Sequence, residues 1–182
     1  LDLVTTEGSC SWNLMPYTQY SCSTQPNVEQ TYDASKNKAL EYATISRTDV
    51  SAIKAALDLG HPVIVGHYQY DSYWAMWNGS GMWESFDPDE NKDGLHAVVI
   101  IGYDDNFGSF KIQNSRGSGG YMGEGRYWVK YNMVTQGLFE EAYVLYGMDL
   151  TQYPEELTGP RLVCPSGATF TVNHLPTNCT IS

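Results

Sequence analysis

Gly94-Leu95-His96-Ala97-Val98-Val99-Ile100-Ile101-Gly102-Tyr103, followed by Phe110-Lys111-Ile112-Gln113-Asn114-Ser115-Arg116-Gly117, decides how this chain folds. The two apolar, β-branched runs predict neighbouring strands joined by the turn Asp104-Asp105-Asn106-Phe107-Gly108-Ser109. Antiparallel pairing across that turn brings the start of the first strand beside the end of the second, so His96 and Asn114 are predicted to meet. An imidazole that works as a base must be held in one tautomer and one orientation. A side-chain amide oxygen accepting its ring N–H does both without adding a charge.

Gly-x-His-Ala-Val-x-x-x-Gly-Tyr, then Lys-Ile-x-Asn-Ser-x-Gly, resembles the His and Asn signatures of the papain family of cysteine peptidases. The resemblance extends on both sides. Residues 1–18, with Met15-Pro16-Tyr17, are similar to the last helix and following loop of that family's first lobe. Ser51 to Tyr73, including His61-Pro62-Val63-Ile64-Val65-Gly66, is similar to the helix and first buried strand of its second lobe. Residues 1–150 therefore resemble the C-terminal two thirds of a papain-like α+β domain. Residues 1–20 match the end of the first lobe and 27–150 the second, antiparallel β-barrel-like lobe. Glu155 to Pro160 reads as the core of a linker over 151–160. Residues 161–182 resemble the truncated start of an Ig-like β module of the kind that follows peptidase domains in bacterial surface proteins, expected to be extended or poorly packed by itself.

The family's nucleophile lies in Gln-x-x-x-Cys-Gly-x-Cys-Trp, at the start of a long helix whose dipole lowers the thiol pKa. This sequence has no such segment, and Leu1 already lies in a predicted helix. The chain is accordingly expected to be a fragment, inactive alone, with the nucleophilic Cys and the oxyanion-binding Gln upstream. Gly8-Ser9-Cys10-Ser11-Trp12 echoes the motif superficially, but Pro16 forbids the long helix that should carry the thiol. Cys10 reads instead as a loop residue bonded to Cys22, and Cys164 pairs by position with Cys179.

Two disulfides suggest an oxidising compartment, and a secreted or cell-surface protein of bacterial type is expected, attached through C-terminal Ig-like repeats. The net charge of -11, from 21 acidic against 10 basic residues, disfavours nucleic acid and anionic membranes as partners. No apolar run reaches membrane-spanning length. No two of the four histidines have metal-ligand spacing on one element, so no metal and no other cofactor is expected. His61 reads as a junction residue and His174 as part of the tail, while His67 could face either the core or a cleft.

Elsewhere, Thr48-Asp49 caps a helix running to Leu59, stopped by Gly60. Pro62–Tyr70, Arg126–Tyr131 and Ala142–Tyr146 read as strands. Asp71–Glu90 matches a surface excursion in the family, and its Tyr73, Trp74, Trp77, Trp83 and Phe86 suit either packing against the barrel or stacking on sugars, packing being favoured.

The resemblance implies a peptide or protein substrate attacked by an upstream Cys thiolate, with His96 as base and then acid and Asn114 orienting it. An apolar substrate side chain would lie near Gly66, Gly94 and Leu95, in a pocket that the glycines make roomy. One departure stands out. The family's Asn-Ser-Trp-Gly is Asn114-Ser115-Arg116-Gly117 here, and a second shielding Trp is Tyr121. Arg116 either admits water and opposes imidazole protonation, reducing activity, or stacks over the same edge through its planar guanidinium. Restoring Trp at 116 is expected to raise kcat/KM if shielding matters. A catalytically inactive binding relative and an adhesin spacer are the alternatives to a working peptidase.

Overall fold

The computed structural model describes residues 1–16, 23–148, 162–163, 169–170 and 180–181. It divides into two compact units, Leu40–Gly147 and a second made of Leu1–Ala39 with Met148–Ser182. The helix Val28–Ser35, read from sequence with the second lobe, thus groups with the N-terminal segment.

The larger unit is built on a seven-stranded sheet ordered β1-β7-β2-β4-β5-β6-β3. Its strands are β1 (Ala39–Thr44), β2 (Val63–Tyr70), β3 (Met82–Trp83), β4 (Lys92–Asp104), β5 (Ser109–Gln113), β6 (Arg126–Lys130) and β7 (Glu141–Met148). From β7 to β6 the neighbours pair antiparallel in succession, and short β3 joins β6 in parallel. Alternation along these strands aims one set of side chains at a common core. Val63, Val65 and His67 from β2 meet Val98 and Ile100 from β4, Phe110 and Ile112 from β5, and Tyr127 and Val129 from β6, all buried.

Helix α3 (Val50–Asp58) closes one side, with Ile53 fully buried. Its start is set by Asp49, whose carboxylate accepts from the Ser51 and Ala52 N–H groups at 2.9 and 3.0 Å. Gly60, at φ +82°, ends it as the sequence predicts.

Residues 71–79, expected as part of a surface excursion, form helix α4 (Asp71–Gly79) instead. Tyr73, Met76 and Trp77 recur at helical spacing and are buried together, and that burial outweighs the Gly and Ser content that suggests a loop. Trp83 is buried as well, with Trp74 and Phe86 packed against the same core, so the aromatic run serves packing. A short helix α5 (Tyr131–Thr135) adds Met133 and Val134 to the core.

In the other unit, α1 (Asp2–Thr6) precedes α2 (Val28–Ser35). A capping box starts α2: Gln30 N–H donates to Asn27 Oδ1 at 2.9 Å and Asn27 N–H to Gln30 Oε1 at 2.8 Å. Gly8, at φ +91°, lets the chain pass so close to α2 that a Cβ would fall 1.9 Å from the Ala34 carbonyl oxygen. Cys10 carries a free, half-buried thiol, and Cys22, its expected partner, lies outside the described residues. In the tail, β8 (Leu162–Val163), β9 (Thr169–Phe170) and β10 (Thr180–Ile181) pair antiparallel in the order β10-β8-β9. The linker 151–160, Cys164, Cys179 and His174 lie outside the described residues.

Candidate active site

β4 and β5 pair antiparallel from Val99 with Gln113 to Asp104 with Ser109, which leaves Asn114 just past the end of β5 and His96 near the start of β4. The backbone N–H of Asn114 donates to Gly125 O at 2.9 Å, and the returning loop holds it there. The side chains meet as the sequence predicts, with His96 Nε2 2.9 Å from Asn114 Oδ1.

Which imidazole nitrogen carries the proton follows from the neighbours. The Ser115 backbone N–H, which can only donate, lies 2.8 Å from Asn114 Oδ1, and that fixes the oxygen end of the amide. His96 Nε2 must therefore donate to the same oxygen. The lone pair is left on Nδ1, the nitrogen free to accept a proton. Asn114 is 4% exposed and His96 half-buried, so the imidazole is reachable while its bond to Asn114 is protected.

A second histidine lies directly behind. His67 is the cross-strand partner of His96, with ring centroids 5.8 Å apart and planes at 86°. It is fully buried, so of the two orientations open from sequence it takes the core. His67 Nδ1 donates to Tyr68 O at 2.8 Å, and Nε2 accepts from the Tyr127 hydroxyl at 2.9 Å. With both nitrogens occupied it has no lone pair to offer a substrate. Burial pushes its pKa down to about 4, so it adds no charge behind His96 at neutral pH.

That depression makes folding pH-dependent. Between about pH 4 and pH 6.5 the unfolded chain protonates His67 and the folded chain does not, so stability falls as pH falls through that window. The loss approaches about 3 kcal/mol at the acid end. Denaturation midpoints of the wild type and His67→Gln measured from pH 7 to 4.5 should show the acid-side loss reduced in the variant.

Tyr73, from the first turn of α4, completes the site. Its hydroxyl accepts from Asn114 Nδ2 at 2.9 Å, and its ring is 6.3 Å from that of His96. It is fully buried, and desolvation holds its hydroxyl above the usual phenol range, keeping it protonated. Arg116, at the expected shielding position, is exposed. Its guanidinium lies 5.0 Å over the Trp74 ring and donates from Nη2 to Gln69 Oε1 at 2.7 Å. The ring that Arg116 stacks on is Trp74, a partner not read from the sequence. Tyr121 is 66% exposed, its N–H bonded to Trp77 O at 2.9 Å and its ring beside Gly81.

Of the expected pocket residues, Gly94 has open space where a Cβ would stand and Leu95 is 59% exposed. Gly66 differs. It pairs with Ala97 on one side and Glu141 on the other, and a Cβ there would meet Glu141 Oε1 at 3.0 Å. The space its missing side chain leaves is taken by a carboxylate. Among the described residues no group of His, Cys, Asp or Glu could hold a metal ion.

The sequence profile of the Peptidase_C39 like family matches residues 5–144, most of the chain. The chain belongs to that family. Solved structures with the same fold are papain-like cysteine proteases. Xylellain from Xylella fastidiosa is 24% identical with a TM-score of 0.65, the match covering 80% of this chain and 59% of that one. Digestive procathepsin L2 from Tenebrio molitor is 19% identical at TM-score 0.60, covering 80% and 45%. Bromelain from Ananas comosus is 17% identical at TM-score 0.56, covering 80% and 66%. This Peptidase_C39 like chain therefore has a papain-like α+β fold and spans less than two thirds of each of those structures. No curated protein matches it.

Within the family fold, sequence reading missed Tyr73, His67 and Tyr127 as a group. Tyr73 is 41 residues from Asn114, and no local pattern links them. A tyrosine among four other large rings reads as packing, which it also is.

Proposed function

We propose that this chain carries the base and orienting amide of a cysteine-type endopeptidase that hydrolyses peptide bonds in peptide or protein substrates. The observation that carries the reading is the 2.9 Å contact from His96 Nε2 to Asn114 Oδ1, which leaves Nδ1 as proton acceptor on a half-buried imidazole.

The nucleophile is a cysteine from outside residues 40–147, which contain none. Cys10 is a poor choice on chemical grounds. Partial burial, then the nearby Asp33 carboxylate, push its pKa up, the reverse of what a catalytic thiol needs. A cysteine N-terminal to Leu1 is the better source.

In the first step the thiol proton passes to His96 Nδ1 and the thiolate sulfur bonds to the substrate carbonyl carbon. The imidazolium, steadied by Asn114, then protonates the departing amine as the C–N bond breaks, leaving a thioester. His96 next takes a proton from water, the hydroxide attacks the thioester, and the C–S bond breaks as the sulfur recovers its proton. Substrate lies extended along β4, with Gly94 and Leu95 bordering it and the Glu141 carboxylate beside Gly66.

The test is hydrolysis of quenched fluorescent peptides by the full-length protein. Cleavage that stops on treatment with a thiol-directed epoxide supports the proposal. An intact, folded protein that cleaves nothing contradicts it and favours a binding or adhesion domain.

A further inference from the structure

Asn114 can hold His96 in one tautomer only if its own amide is prevented from turning over. Its oxygen end takes the His96 and Ser115 donors, at 2.9 and 2.8 Å. Its nitrogen end, in a pocket where the residue is 4% exposed, donates to the Tyr73 hydroxyl at 2.9 Å. From this geometry we infer that Tyr73 is a positioning residue for the proposed peptidase site, the fixed post that keeps the Asn114 oxygen on His96.

Three observations support the assignment. Tyr73 is rigid, with ring centroids of His67, Trp74, Trp83 and Tyr127 between 5.1 and 5.8 Å away and Trp77 stacked at 6.3 Å. The positive charge of Arg116 acts on its hydroxyl and opposes the rise that burial imposes on its pKa. Arg116 is itself set in place by the Trp74 face and Gln69. Tyr73 alone of this group touches the amide, through its hydroxyl. Replacing Arg116 with Trp would remove its contacts with the Trp74 face and Gln69 while adding a ring.

The inference rests on the proposed function for its kinetic consequence, but the tautomer can be read without turnover. In Tyr73→Phe the ring and its packing stay, and only the hydroxyl is lost. The full-length variant should keep its KM within about twofold and lose about tenfold in kcat. The alkaline limb of its kcat/KM profile should move to lower pH, because a loosened Asn114 stabilises the imidazolium less. A purely structural tyrosine would lower the unfolding temperature without moving that limb. In parallel, imidazole 15N resonances of wild-type His96 should report the Nε2–H tautomer, and those of the variant a mixture. An unchanged limb with an unchanged tautomer overturns the inference. A wild type that cleaves no peptide, with the tautomer still shifting in Tyr73→Phe, overturns the proposed function and leaves this positioning role standing.

Discussion

His96→Ala in the full-length protein is expected to lower kcat/KM by about 10³- to 10⁴-fold, nearly all of it in kcat. The ring is only half-buried, and among the described residues its side chain hydrogen-bonds Asn114, so the fold should survive. In the proposed mechanism, removing it takes away the proton acceptor on Nδ1 and the acid that protonates the leaving amine, whereas the proposed substrate contacts along Gly94 and Leu95 remain. Asn114→Ala should cost less, because the base persists and loses only its orientation. Stopped-flow and steady-state assays on one fluorogenic peptide separate the two. A His96→Ala enzyme within tenfold of wild type would remove His96 from the chemistry.

Gly125→Ala is expected to damage the site without touching a chemical group. Gly125 adopts φ +65°, and a Cβ there would fall 1.9 Å from the Gly117 carbonyl oxygen. That contact cannot be relieved by a rotamer change, because both partners are backbone. The Gly125 carbonyl accepts the Asn114 N–H at 2.9 Å, and its N–H donates to Gly119 O at 3.1 Å. Forcing the strands of the loop apart therefore moves Asn114 relative to His96, and a displacement near 1 Å can cost about 100-fold in kcat. The left-handed backbone adds about 1–3 kcal/mol of strain in a residue with a Cβ. Thermal unfolding and kcat should fall together, and a variant with wild-type values for both would show that the loop adapts.

Much of the larger unit is legible in the sequence because its causes are local. The apolar, β-branched runs in Val63–Tyr70, Val98–Tyr103 and Phe110–Gln113 mark strands, Asp49 and Gly60 bracket α3, and the turn between β4 and β5 brings His96 towards Asn114. What escapes reading is set by contacts distant in the chain. Helix α4 looks like a loop because Asn78 and Gly79 end it and Gly81 follows, yet Tyr73, Met76 and Trp77 find the core and override them. Tyr73 reaches Asn114, His67 reaches Tyr127, and Glu141 fills the space at Gly66 only once three strands are paired. Arg116 illustrates the same limit: its position in the motif is readable, but its partners Gln69 and Trp74 come from β2 and α4.

The most direct measurement is the identity and reactivity of the alkylated thiol. The full-length protein, treated at pH 6 with limiting iodoacetamide and mapped by mass spectrometry, should be modified fastest at one cysteine N-terminal to Leu1, and His96→Ala should suppress that reactivity by about tenfold or more, because the imidazolium that stabilises the thiolate is gone. Preferential modification of Cys10, or labelling indifferent to His96, would contradict the assignment of His96 and Asn114 as the base and orienting amide of a cysteine peptidase.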